Sequence, residues 1–379
     1  MALIPPGSTR RITSLDVLRG IAISMVLLAH LPFDSPSDWF GYVVLHRLIL
    51  SGWIGVDLFF VLSGFLLSLP FATASLSGKP PPANARYFKR RLLRVFPAYY
   101  AQLIIILLAG AWFVSWKPLG GTSLLAHLLM FFNFGTAPVR PLVGLWWTLP
   151  VELSFYLILP LIASFMQPRR WLLFVSGGFV LSILYRIWVS SAFGTIPGEI
   201  VFLNASQLPG SLPEFLLGAS AAMLVRWVDW KNLKRPSLNT ADGLFLAGVV
   251  LTVLWLGQIV FTYGAVYWRG HWSMIIAPIA LGSALSLMVL GIYWGSRLGK
   301  LLCGNPVVYF VGLISYSLYL WHFVVMQQVQ MIGGETYAAL PGFSRFLICT
   351  GLVTALSAIS YYLFERPFFK LRGSRKTSP

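Results

Sequence analysis

SLDVLRGIAISMVLLAH, residues 14–30, is the stretch that decides the fold of this chain. Its length and apolar composition are those of a membrane-spanning helix, yet it contains Asp16, Arg19 and His30. Ionisable groups are costly at bilayer depth, so they usually face the interior of a helix bundle and mark function. His30 follows Arg19 after close to three turns of about 3.6 residues each, which places both side chains, together with Asp16, on one face of the helix. We therefore predict that this face forms part of a functional site.

The composition of the whole chain identifies a polytopic membrane protein. The 379 residues are 57% hydrophobic and only 10% charged, whereas soluble domains are about one quarter charged. Cys303 and Cys349 lie singly in apolar surroundings and offer neither a disulfide framework nor a CxxC metal site. The formal net charge of +17 would suit nucleic acid, but excess Lys and Arg in a membrane protein first report its topology. We therefore expect no nucleic-acid partner.

Apolar segments divide the chain into the helices of an all-α fold. The segments are 15–32, 50–71, 95–115, 122–134, 146–166, 171–190, 211–227, 243–263, 273–293, 307–329 and 343–365. All except 122–134, which is short enough to be re-entrant or interfacial, are predicted to cross the bilayer, giving about ten transmembrane helices. With both termini inside, most of the 28 Lys and Arg residues are cytoplasmic, as the positive-inside bias requires. The predicted organisation is a cytoplasmic tail over 1–13, a single transmembrane domain over 14–369 and a basic cytoplasmic tail over 370–379.

The ionisable residues inside these spans fall at two depths when the helical rise of about 1.5 Å per residue is counted from the span ends. One set is predicted to share a layer in the outer half of the bilayer: His30, Asp57, Glu152 and His322. A second set is predicted to share a layer at the inner edge: Arg19, Arg90, Arg91 and Arg94. Two polar layers on different spans predict one continuous tunnel through the bundle.

Each residue of the outer layer also has a purely structural interpretation. A lone intramembrane histidine such as His30 is often a satisfied hydrogen bond between helices. A buried Glu152 can stay neutral by bonding to a neighbouring hydroxyl. His322 ends a stripe with Ser315 and Tyr319 that suits packing as well as a site wall, and Asp57 can simply pair with an arginine or a protonated histidine. The register of Arg19 with His30 favours function for the histidine.

The basic cluster before Pro97 suits a phosphate ligand. Arg90 and Arg94 share a helix face in the predicted helix, with Arg91 beside them. Arginine forks bind phosphate in a bidentate manner, so we expect a polyphosphate ligand on the cytoplasmic side. Anionic lipid headgroups satisfy the same cluster, and this alternative stays open.

Six motifs follow one another along the predicted spans. They are LDVLRGIAISMVLLAH (15–30), GVDLFFVLSGFLL (55–67), RRLLRVFPAYY (90–100), LWWTLPVELSFYLILP (145–160), SYSLYLWH (315–322) and FERP (364–367). Together these motifs resemble the acyltransferase-3 family of integral-membrane O-acyltransferases, over residues 15–369.

The resemblance implies an activity and assigns roles to residues. Members of that family move an acyl group, commonly acetyl, from cytoplasmic acyl-CoA to a hydroxyl of a cell-envelope carbohydrate, a glycolipid or a small molecule. It therefore implies an enzyme of the bacterial inner membrane with acetyl-CoA as its donor. It implies that His30 is the catalytic histidine and Glu152 the site carboxylate, with Asp57 and His322 completing the predicted site. The residues expected to contact the donor are Arg19, Arg90, Arg91 and Arg94.

The resemblance also leads to expectations about how the chain transfers the acyl group. Some members carry an additional SGNH-type domain, which this sequence does not contain. We therefore expect the chain to acylate its acceptor within the bundle or to pass the group to a separate protein. Imidazole is the usual general base near neutral pH, so His30 is predicted to take a proton from the attacking hydroxyl, and a covalent acyl-enzyme is less favoured. No His, Cys or Asp cluster has metal spacing, and no metal is expected.

The strongest alternative from another class is a transporter or flippase for glycolipids or polysaccharides. Buried His, Glu and Asp residues also build proton relays, so intramembrane charge by itself is compatible with transport. A transporter moves its substrate without consuming acyl-CoA, and this difference separates the two functions.

Overall fold

A computed structural model shows the arrangement of the helices. The structure describes residues 9–31, 46–110, 119–133, 139–194, 198–264, 266–303 and 305–370. Residues 1–8 of the predicted N-terminal tail and 371–379 of the predicted C-terminal tail lie outside the described residues. Within the described ranges every regular element is helical and none is a strand, which confirms the predicted all-α class.

Fifteen α-helices are described, numbered here in chain order. They are α1 (Thr9–His30), α2 (Ile54–Ser77), α3 (Asn84–Leu108), α4 (Gly121–Leu128), α5 (Thr148–Ile162), α6 (Pro168–Phe193), α7 (Gly198–Ala205), α8 (Leu208–Trp230), α9 (Leu238–Gly257), α10 (Trp272–Tyr293), α11 (Arg297–Cys303), α12 (Pro306–Leu313), α13 (Ser315–Ala338), α14 (Gly342–Ser360) and α15 (Arg366–Lys370). Short 3-10 turns precede or follow several of them, at Ser51–Trp53, Gly144–Trp147, Ala163–Phe165 and Tyr267–Arg269. Single π-helical turns end α9 and α14, at Gln258–Tyr263 and Tyr361–Glu365.

Most of the long helices can cross a bilayer. Within the described residues, eight helical stretches are long and apolar enough to span a membrane, and α12 with α13, bent by 78°, form a ninth if they count as one span. These stretches confirm a polytopic membrane protein. Helix α1 is not among the nine, so the predicted total of ten crossings and the cytoplasmic position of both termini stay predictions. Helix α4 has only 8 residues, too few to cross, as the sequence predicts for this segment.

The outer surface of the bundle is apolar. Leu108, Leu161 and Leu173 on three different spans expose 83%, 73% and 74% of their surface. An apolar surface of this kind would promote aggregation of a soluble protein, whereas hydrocarbon tails solvate it. Polar and charged side chains such as Arg186, Glu214 and His322 are buried instead. The polar chemistry of the protein therefore lies inside the bundle.

Helices α2 and α8 pack so closely that both contribute a glycine at the contact. A Cβ atom added at Gly64 would lie 2.1 Å from the carbonyl oxygen of Phe215, and one added at Gly218 would lie 2.0 Å from that of Val61. Small residues at such a crossing let two backbones approach, which is the usual way in which membrane helices associate. This contact matters for function because α2 carries Asp57 and α8 carries Glu214.

We predict that Gly218→Ala destabilises the bundle by about 1–3 kcal/mol, because the added methyl group collides with backbone and forces the two helices apart. The thermal unfolding midpoint of the purified protein in detergent, followed by tryptophan fluorescence, measures this effect. Gly243→Ala in α9 is the matched control, since nothing lies within 4 Å of its added Cβ. An equal midpoint for both variants would contradict the tight contact.

Candidate functional site

The first polar cavity, called here the inner cavity, lies between α1, α2, α3, α5 and α13 and encloses about 70 Å³. Arg19, Arg91 and Arg94 line it, and Glu152 is the acidic residue in its wall. Arg19 is held by an ion pair with Asp16, with 3.4 Å between the guanidinium Nη1 and the carboxylate Oδ1. The buried Nε of Arg91 has no hydrogen-bond partner among the described residues. The inner cavity is therefore a positively charged pocket that suits an anion.

Glu152 is fixed in the inner cavity by two hydroxyl groups. Ser63 of α2 donates to its Oε1 over 2.8 Å, and Tyr156, one turn further along α5, donates to the same oxygen over 2.5 Å. No described residue donates to Oε2, which is left to accept from a ligand. The hydroxyl partner proposed as the structural alternative for this glutamate is thus present, and it orients the carboxyl group beside the arginines.

The second polar cavity, called here the outer cavity, contains His30. It encloses about 360 Å³ and is lined by residues of α1, α2, α6, α7, α8 and α10 and of three 3-10 turns. The Nδ1 atom of His30 lies 2.7 Å from the carbonyl oxygen of Val26. A carbonyl oxygen can only accept, so Nδ1 carries the proton in this bond and Nε2 of the neutral ring has a free lone pair. That tautomer is the one a general base requires.

His322 lies directly behind His30. The two ring centroids are 5.3 Å apart with an edge-to-face geometry. His322 repeats the same bonding pattern, since its Nδ1 lies 2.9 Å from the carbonyl oxygen of Leu318. It is completely buried, lines neither cavity, and its Nε2 has no partner in the described part of the chain. His322 therefore packs against the His30 ring but does not itself line the outer cavity.

Three ionisable side chains line the outer cavity together with His30. Asp57 lines this cavity together with Glu214 and Arg186. Arg186 donates to the carbonyl oxygens of Gly210 over 2.9 Å and of Met274 over 2.7 Å. Neither Arg186 nor Glu214 is among the site residues predicted from the sequence. The signal that identifies them is the one used for His30, an ionisable residue inside an otherwise apolar span.

The structure divides the predicted outer layer. Glu152 lines the inner cavity with the arginines, whereas His30 and Asp57 line the outer cavity. Val56 and Phe60 are the residues shared by both linings, and their side chains stand between the two spaces. The common depth and the continuous tunnel stay predictions, since the residues line two adjoining cavities with two apolar side chains of α2 between them.

Fewer arginines line the inner cavity than the sequence predicts. Arg91 and Arg94 line the inner cavity, but Arg90 is exposed and does not. The inward face of α3 is set by the buried residues Tyr87 and Ala98, which lie one turn before Arg91 and one turn after Arg94. Arg90 lies at the exposed edge of that stripe, so its assignment to the donor stays a prediction without support from the cavity geometry.

No metal site is evident among these groups. In the ranges that the structure describes, no three His, Cys, Asp or Glu side chains are arranged to hold a metal ion.

The fold is that of an integral membrane protein, and its two polar cavities lie inside the helix bundle. The family model of an acyltransferase domain matches residues 12–362, nearly the whole chain. The chain therefore belongs to the acyltransferase-3 family, as its motifs predict. No solved structure matches the chain.

Two relatives illustrate what the chain is similar to. It is 23% identical over 385 residues to the peptidoglycan O-acetyltransferase OatA of Listeria monocytogenes, an alignment that covers 96% of this chain and 56% of the relative. It is 25% identical over 393 residues to the O-acetyltransferase OatA of Staphylococcus aureus (strain NCTC 8325 / PS 47), covering 96% and 58%. The chain thus spans a little over half of the length of these relatives.

Proposed function

We propose that this chain is an O-acyltransferase of the bacterial inner membrane that moves an acetyl group from cytoplasmic acetyl-CoA to a hydroxyl of a cell-envelope carbohydrate. The observation that carries the proposal is the pair of adjoining cavities, one lined by three arginines and the other by a histidine with a free Nε2. Family membership and the names of the relatives, which specify O-acetyl transfer and, for one, peptidoglycan, support the reaction class.

On the donor side, the arginines bind the phosphates of acetyl-CoA. Guanidinium forks match phosphate oxygens in geometry and charge, and Arg91 and Arg94 lie one turn apart on the inward face of α3. The inner cavity of about 70 Å³ is far smaller than a site for a whole cofactor, roughly 300–1,000 Å³. It therefore admits only a part of the narrow pantetheine arm, while the nucleotide stays at its cytoplasmic mouth. Glu152 Oε2 accepts from an amide N–H of that arm.

The reaction takes place where the two cavities adjoin. Nε2 of His30 removes the proton of the acceptor hydroxyl as its oxygen attacks the thioester carbonyl. The new C–O bond forms, the C–S bond breaks, and the proton held by His30 passes to the leaving thiolate. His322 keeps the His30 ring in place, and Asp57 lies on the acceptor side. Because Val56 and Phe60 separate the cavities, the acetyl end of the donor must displace the Phe60 ring, which stacks on Phe215 with centroids 4.7 Å apart.

The test is release of free thiol from acetyl-CoA by the purified full-length chain in lipid nanodiscs. We expect release to depend on an added acceptor, the disaccharide of N-acetylglucosamine and N-acetylmuramic acid, and mass spectrometry to detect the acetylated sugar. Protein without acceptor, and acceptor without protein, are the controls. Movement of a glycolipid across liposomes with no thiol release would instead establish the transporter alternative.

A further inference from the structure

The wall of the outer cavity is a connected series of aromatic rings. Neighbouring ring centroids lie 4.7–6.4 Å apart along the series Trp53, Tyr267, Trp268, Phe202, Trp147 and Phe60. The volume of about 360 Å³ falls in the range of small-molecule sites, roughly 300–1,000 Å³. Aromatic rings of this kind offer flat apolar faces with limited side-chain freedom. The cavity can therefore hold a ligand that has a flat C–H face of its own.

The lining of the outer cavity also contains a polar side chain with an oxygen atom that lacks a hydrogen-bond partner in the described part of the chain. Glu214 is 98% buried, with 2% of its surface exposed, and its Oε2 has no hydrogen-bond partner among the described residues. Such an atom is costly to bury, because it loses its hydration without a replacement. A ligand hydroxyl that donates to Oε2 would remove this cost. Glu214 lines the same cavity as His30, so the hydroxyl-binding group and the proposed base face one space.

The charges of Asp57, Glu214 and Arg186 favour a neutral ligand over a cation. Asp57 and Glu214 line one cavity, and two carboxyl groups buried near each other resist full ionisation of both, because like charges repel. Arg186 lines the same cavity and is fixed by two backbone carbonyls. Its positive charge offsets the negative charge that the carboxyl groups carry. An ammonium ligand, which would also suit aromatic rings, gains little net attraction here.

We propose that the outer cavity is the acceptor pocket and that it binds one neutral sugar ring, stacked on Trp53, Trp147 or Trp268, with hydroxyl groups bonded to Glu214 and Asp57. This assignment rests on the proposed function for the identity of the reaction, but sugar binding does not need the donor. It names Glu214 and the tryptophans as acceptor-binding residues and leaves the proton transfer to His30.

The experiment measures sugar binding in the absence of acetyl-CoA. The full-length chain in nanodiscs is titrated with the uncharged disaccharide of two N-acetylglucosamine units, because N-acetylmuramic acid carries a carboxylate, and binding is followed by saturation-transfer NMR. We expect Glu214→Gln and Trp268→Leu each to weaken binding by about tenfold or more, since each removes a buried polar or stacking contact. Glu199→Gln and Trp227→Leu are the matched controls, because both residues lie outside the cavity lining and should bind as the wild type does.

Kinetics supply the second readout and separate the two proposals. Glu214→Gln should raise the KM for the disaccharide and leave the KM for acetyl-CoA unchanged.

Undiminished binding by both Glu214→Gln and Trp268→Leu, with transfer intact, would overturn the acceptor pocket and leave the proposed function standing. Cavity-dependent sugar binding with no thiol release would retain the pocket and overturn the function. Tighter binding of glucosamine than of N-acetylglucosamine would overturn the neutral-ligand assignment. The unfolding midpoint of each variant identifies loss by misfolding, and Asp57→Asn, tested with the same ligand, repeats the test at the paired carboxyl.

Discussion

Replacing His30 by alanine should lower the rate of acetyl transfer by about a thousandfold, the middle of the range for removal of a general base, roughly 10²–10⁴. The Nδ1–H bond to Val26 leaves Nε2 as the nitrogen available to a ligand in the outer cavity, and the described lining of that cavity contains no second histidine. The rate of thiol release with saturating acceptor measures the effect. Binding of acetyl-CoA should be unchanged, because His30 does not line the inner cavity.

A chemical control distinguishes lost chemistry from lost structure in this variant. The shortened side chain leaves space in the outer cavity, and added imidazole should restore part of the His30→Ala activity. An unfolding midpoint equal to that of the wild type establishes that the bundle is intact. Near-normal turnover by a folded His30→Ala protein would remove this residue from the reaction.

The second large effect is expected from the paired replacement of Arg91 and Arg94 by alanine. Each charge-assisted hydrogen bond to phosphate contributes about 1.5–3 kcal/mol, so loss of both guanidinium groups should raise the KM for acetyl-CoA by about a hundredfold or more. The KM for the sugar acceptor should stay unchanged. Steady-state kinetics with each substrate varied in turn measure both values.

Two further variants locate the effect on α3. Arg86→Ala, on an exposed residue of the same helix, is the matched control and should leave both KM values unchanged. The Arg90→Ala variant distinguishes two predictions. The sequence assigns Arg90 to the donor and so predicts a weaker affinity for acetyl-CoA, whereas the cavity geometry predicts almost no change. An unchanged KM in the Arg91/Arg94 double variant, with reduced binding to anionic vesicles, would establish the lipid-headgroup alternative.

Much of the site could be predicted from single helices. Arg19 and His30 lie on one helix, and a spacing of three turns is enough to align them. Glu152 stood out because a carboxylate in an apolar span is expensive. The choice between Arg90 and Arg91 could not be predicted, because both lie within one turn of Arg94 and only the burial of Tyr87 and Ala98 in the structure marks the inward face of α3.

What could not be predicted depends on contacts between helices that are distant in sequence. Asp57 meets Glu214 because glycine residues let α2 and α8 approach closely, and no pattern within either helix reveals its neighbour. Glu152 was expected beside His30, since depth was counted along separate spans. The apolar side chains of Val56 and Phe60 instead assign Glu152 to the arginines. Depth is a one-dimensional quantity, whereas a site is defined by which side chains share a space.

The partition formed by Val56 and Phe60 has a consequence for the energetics of the cell. An enzyme that takes its donor from one side of a membrane and acts on an acceptor at the other side needs a path through the bilayer. The same path could conduct ions and dissipate the membrane potential. Each elementary charge that leaks through it dissipates about 2.3 kcal/mol per 100 mV of membrane potential. In the proposed reaction, a plug of these two hydrocarbon side chains would admit an uncharged acetyl group for the moment of transfer and would block protons and hydrated ions at all other times. In this protein, electrical insulation and catalysis would then depend on the same aromatic ring.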